Sequence, residues 1–160
     1  MKLKALILVA LTAINASPAF AGEWWLVGNR GEMSGQAPNR KVYFVDRASI
    51  TREGSKLLAW TAFVEETTGS NGRKIIMFYQ RFDCGFRKFV SLKYRVLSDD
   101  EKLIDEIDVP LSAQTEKVVP HSSPANGVLK LVCGVSDGNP EKLPGDIDIG
   151  TFAEMMFSGD

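Results

Sequence analysis

The sequence predicts an α+β fold: an antiparallel sheet of five or six strands, with a C-terminal helix packed on one face and one disulfide. Three observations lead there. Residues 74–82 and 88–97 are two runs rich in β-favouring residues, separated by a break at Cys84-Gly85. The second run alternates, with Val90, Leu92, Tyr94 and Val96 to one side and Phe89, Ser91, Lys93 and Arg95 to the other. That period of two marks a strand with one buried face. Residues 124–133 change period: Ala125, Val128, Leu129 and Val132 fall at i, i+3, i+4 and i+7, one apolar stripe of a helix.

The chain opens with a signature of export. Lys2 and Lys4 precede an apolar run over residues 5–14, Pro18 breaks it, and Ala19-Phe20-Ala21 forms an A-x-A cleavage site. The run is too short to cross about 30 Å of hydrocarbon. Residues 1–21 are therefore predicted to be a signal peptide, and the mature chain to be periplasmic or secreted. Removing 21 of 160 residues leaves 139, which suits one core. Removing Lys2 and Lys4 leaves 17 basic residues against 20 acidic ones. This balance lacks the basic excess of nucleic-acid binders. No later apolar run is long enough for a membrane span after cleavage.

Export also sets the reading of the cysteines. Two cysteines in an oxidising compartment pair, so Cys84 and Cys133 are expected to form a disulfide. Its closed loop of about 50 residues corresponds to roughly 4 kcal/mol in the chain-entropy model. The alternatives are a reactive thiol, which would need a base where His121 is the only histidine, and a zinc site. Cys84, Cys133 and His121 lack the close ligand spacing of such a site. No metal or cofactor site is expected.

The remaining elements follow in order. Residues 24–28 read as a short strand whose Trp24 and Trp25 point to opposite faces, one into the core and the other under a loop or free to stack on a ligand. Residues 29–40, with Gly31, Gly35 and Pro38, read as a loop. Residues 41–45 form a strand, Asp46 caps the turn after it, and Ile50 returns to the core. Residues 51–54 are a turn. In the strand over 55–66, Leu58, Trp60, Ala62 and Val64 alternate with Leu57, Ala59, Thr61 and Phe63. Both faces are apolar, which fits a strand covered on both sides. Residues 67–72 are a hairpin loop and residues 98–101 an acidic turn without the spacing of a calcium loop. Residues 102–109 are a polar edge strand ended by Pro110. Ser122-Ser123-Pro124 starts the helix with a hydroxyl N-cap and proline at the first position, and Gly134 stops it. Residues 135–145 are a linker. The last segment, with Ile147, Ile149, Phe152, Met155, Met156 and Phe157, either docks as a short helix on the uncovered sheet face or engages a partner.

Catalytic signatures are lacking. There is no G-x-S-x-G, H-E-x-x-H or phosphate-binding glycine loop, and every nucleophile-base arrangement would depend on His121. Asp99 with Asp100, and Asp146 with Asp148, are carboxylate pairs in loops. Only a carboxylate-based hydrolase with acids far apart in sequence would escape this count.

A resemblance joins the residue-level reading. Trp25-Leu26-Val27, Tyr43-Phe44-Val45-Asp46 with Ser49-Ile50, Trp60, Phe82-Asp83-Cys84, and Val119-Pro120 with Leu129-Lys130-Leu131-Val132-Cys133 resemble the surface-adhesin protein E family. The marks are dispersed over residues 22–134. The resemblance implies an antiparallel sheet with a helix, held by the two family cysteines. It also implies a bacterial surface protein that binds host matrix and plasma proteins. No cysteine precedes Cys84, so this chain lacks the residue that would carry a lipid anchor, and residues 135–160 lie outside the resemblance. The expected function is therefore an exported, non-catalytic binding protein with a host-matrix or envelope protein partner. The alternative is an envelope-associated structural protein, dimeric through a sheet edge.

Overall fold

The computed structural model describes residues 22–28, 33–67, 73–98, 100–135, 140–145 and 147–159. The expected signal peptide of residues 1–21, most of the expected 67–72 loop, and Asp99 and Asp146 lie outside the described residues. Among the described residues, seven strands form one antiparallel sheet. They are β1 (Trp24–Leu26), β2 (Lys41–Glu53), β3 (Lys56–Glu66), β4 (Arg73–Asp83), β5 (Lys88–Leu97), β6 (Leu103–Asp108) and β7 (Lys117–Val118). The first six lie side by side in chain order, and β7 pairs with the start of β5 beside β6. Two helices follow, α1 (Pro124–Cys133) and α2 (Ile149–Ser158). The fold is α+β, as the alternation and the helical stripe predict. It has six strands in order, plus a two-residue seventh that no sequence period announces.

The sheet has a core on each face. On one, Leu26, Phe44, Val64 and Ile75 pack with Phe152 and Ala153 of α2. On the other, Val45, Ala59 and Phe82 pack with Val128, Leu129, Leu131 and Val132 of α1. The doubly apolar pattern of β3 is thus met by a helix on each side. The tail docks on its own domain: α2 covers β3 and β4, while residues 141–143 pair with β1 through Leu26 N–H to the Glu141 carbonyl at 2.8 Å and Leu143 N–H to the Trp24 carbonyl at 2.9 Å. Burying side chains such as Ile149 and Phe152 contributes about 1.5–3 kcal/mol each. Asp148 caps α2, its carboxylate accepting the Thr151 N–H at 2.6 Å.

Three expectations are corrected. β2 does not end at Val45; it continues to Glu53 through an irregularity between Asp46 and Thr51. Polar side chains stitch that gap. The Asp46 carboxylate accepts the Ala48 N–H at 3.1 Å, as expected of a turn cap, and the Glu23 N–H at 2.9 Å. The Ser49 hydroxyl donates to the Asp46 carbonyl at 2.7 Å and accepts the Trp60 N–H at 2.8 Å. In β5 the alternation breaks, because Tyr79 faces Lys93 while Gln80 faces Ser91, leaving Leu92 in a bulge. Phe89 and Ser91 therefore share a face with Tyr94 and Val96, and Val90 shares one with Arg95 and Leu97. Finally, the Ser123 hydroxyl does not cap α1 but donates to the Pro120 carbonyl at 2.8 Å. Proline at the first helical position has no N–H to offer, and the Asn126 N–H is taken by the Ser123 carbonyl at 2.9 Å.

Cys84, in the turn between β4 and β5, is bonded to Cys133 at the end of α1, at a sequence separation of 49. Gly134 then reverses the chain at φ 72°. α2 is held at its far end by Arg40. Its Nε and Nη2 donate to the two Glu66 carboxylate oxygens at 2.8 and 2.7 Å, and Nη2 also donates to the Phe157 carbonyl at 2.6 Å. These bonds hold the Glu66 carboxyl below its usual 4.5.

Two outcomes follow. Cys133→Ala should lower stability by about 2–5 kcal/mol in denaturant unfolding of the oxidised protein. A depressed carboxyl stabilises the fold above its unfolded pKa, and this contribution disappears as pH falls through the folded value. Acidification below 4.5 should therefore loosen the last turn of α2, seen as faster amide hydrogen exchange there, and Glu66→Gln should remove the pH step.

Candidate functional site

The residues that sequence reasoning could nominate for chemistry do not assemble. The cysteines are consumed in the disulfide. His121 is exposed beside the start of α1, where its carbonyl accepts from Asn126 Nδ2 at 2.9 Å. It borders a shallow cleft of about 340 Å³ with Ser34, Tyr43, Ser122 and Ser123, and among the described residues no carboxylate lines that cleft. Asp100 is held at about 2 by the Lys102 ammonium and the Ser98 hydroxyl. Asp148 is a helix cap. Among the described residues, no three His, Cys, Asp or Glu side chains cluster closely enough to hold a metal. Trp25, the candidate stacking platform, carries the Arg47 guanidinium 4.5 Å from its ring, so an internal cation occupies that face.

What the fold does assemble is a groove on the α1 side of the sheet. α1 lies over β2 and β3, and beyond it the sheet face stays only half-buried at Phe63, Ile76, Phe78, Tyr94 and Val96. The register places Phe78 opposite Tyr94 and Tyr94 opposite Ile107, which is 36% exposed. Aromatic rings tile this surface. Tyr43 and Phe63 lie 6.0 Å apart, and Phe63 and Phe78 lie 5.9 Å apart. A cavity of about 230 Å³ opens where the tiled surface meets α1 and β7. Its walls include Phe63, Phe78, Phe82 and Phe89, with Ala125 and Val128 of α1 above and Lys117 of β7 beside them.

A polar row crosses the floor of this cavity. Thr61 Oγ1 donates to Gln80 Oε1 at 2.9 Å, and Gln80 Nε2 donates to Ser91 Oγ at 3.2 Å. Thr61 and Gln80 are 4% and 8% exposed, so the row is buried polar surface amid rings. The bulge at Leu92 is what aims Ser91 here: unbroken alternation from Tyr94 and Val96 would turn it to the opposite face. Sequence reasoning read Gln80 as one more residue of a β-run. The signal available was a glutamine flanked at i−2 and i+2 by Phe78 and Phe82 on a buried face.

The other face is closed over β3 to β5 by stacked side chains. Trp60 stacks at 5.2 Å on Tyr79, and the Arg95 guanidinium sits 4.4 Å from the Trp60 ring. Comparison with family models, with curated proteins and with solved structures found no match.

Thr61→Val keeps the shape of the floor but leaves the Gln80 carbonyl without its donor. It should cost about 1–3 kcal/mol, measured by denaturant unfolding, whereas Ser91→Ala, at a half-buried position, should cost less.

Proposed function

We propose that the mature chain is an exported, non-catalytic bacterial binding protein that engages a protein of the host matrix or of the bacterial envelope. The observation that carries this reading is the aromatic sheet face left half-buried beside α1. Tyr94 lies at its open end opposite Ile107, which is 36% exposed. A contiguous apolar patch of this kind, rimmed by charge, suits association with another protein. Charge at its margin comes from Asp105, opposite Val96 on the same face, and from Lys117 at the cavity mouth. The disulfide suits an oxidising compartment. No helix among the described residues is long and apolar enough to cross a membrane. The dispersed likeness to surface-adhesin protein E supports the matrix as one source of partner. A second reading, an envelope-associated protein that pairs through a sheet edge, draws on β6, every residue of which is exposed.

The test is capture of proteins from host-matrix and envelope extracts by the oxidised mature chain. The Tyr94→Lys, Ile107→Lys double variant should lose the captured proteins while keeping its melting temperature. Equal capture by the double variant would move the interface elsewhere, and capture from neither extract would overturn the reading.

A further inference from the structure

Beyond this protein-facing surface, we propose that the cavity bounded by α1, β7 and the sheet is a small-molecule site for an aromatic monocarboxylate. The polar groups on its floor are only partly used. The Thr61 proton is spent on Gln80 Oε1, and one Gln80 amide proton is spent on Ser91 Oγ. The second Gln80 amide proton and the Ser91 hydroxyl proton remain. Lys117, exposed at the rim and without an ionic partner among the described residues, adds an ammonium. The site therefore presents an excess of donors and one positive charge, and what satisfies it is a ligand bringing acceptors and one negative charge.

Charge and geometry narrow the class. A single lysine with no arginine fork in the lining matches a carboxylate better than a phosphate. The walls choose the rest of the ligand. Phe63 with Phe78 at 5.9 Å, and Phe82 with Phe89 at 6.1 Å, are two ring pairs on either side of the polar row. A phenyl ring between them gains offset or edge contacts. A volume of about 230 Å³ equals the space of about eight waters, enough for a ring and a short acid chain. An apolar residue at position 80 would have closed this floor at no desolvation cost, whereas the amide there leaves one donor unspent for a ligand.

The experiment is an NMR titration of the oxidised mature protein with 3-phenylpropanoate, with 3-phenylpropanol and propanoate as comparisons. The acid should saturate with a Kd of about 0.1–1 mM and shift the Gln80 side-chain amide and the Ser91 backbone resonance. The alcohol and propanoate should each bind about tenfold more weakly, the one lacking charge and the other lacking the ring. Lys117→Gln, at an exposed position, should bring the acid down to the affinity of the alcohol. Lys88→Gln, which removes a cation paired with Glu116 at 3.0 Å, should not. Acid and alcohol binding equally, shifts mapping outside the cavity, an unchanged affinity in Lys117→Gln, or no saturation by about 10 mM would each overturn the proposal. Partner capture is read separately at Tyr94 and Ile107, so either reading can fail alone.

Discussion

A central strand that is apolar on both faces cannot be left in water on either, and the rest of this molecule answers that constraint. On β3, Ala62 and Val64 face one way and Leu57 and Ala59 the other. One helix could satisfy only half of it. The chain supplies two, and they are secured by different physics. α1 is tied covalently at its C-terminal end through Cys133. α2, with no such tie, is fixed by a capping carboxylate at its start and by Arg40 at its end, on top of the burial of Ile149, Phe152 and Ala153.

Much of this was legible in the residues, and the reasons differ by element. Strands with strict alternation or doubly apolar runs declared themselves, and so did α1, whose stripe, proline and terminal glycine agree. The disulfide followed from having two cysteines and an export signature. What escaped were features set by pairing and not by composition. The bulge at Leu92 has no residue signature, yet it reverses the facing of half a strand. The passage of β2 through Asp46 and Ser49 looked like a turn because both residues favour turns, whereas the hydroxyl of Ser49 here replaces a missing ladder contact. β7 is too short for any period to show.

The groove escaped for a related reason. Its walls come from β2 to β5, β7 and α1, and only the register brings Thr61, Gln80 and Ser91 into one row. Sequence alternation points each of these side chains to a face; it does not say which rows α1 covers. The groove exists because the helix rides over β2 and β3, leaving the β4 and β5 side with aromatic cover of its own. The small side chain of Ala125 above the floor keeps the space open.

The two edges of the sheet have unequal fates, and this limits how copies of the chain can stack. β1 is sealed by residues 141–143, and that short segment lies between Pro140 and Pro144, which carry no N–H to continue a ladder. Among the described residues, β6 and the short β7 beside it form the open border, and β6 carries Asp105, Glu106 and Asp108. A sheet with one blocked border and one open border can meet a single neighbour edge to edge and then has nothing left to extend. Among the described residues, the tail thus covers one border and leaves strand pairing between copies only the other, which limits fibre-like growth.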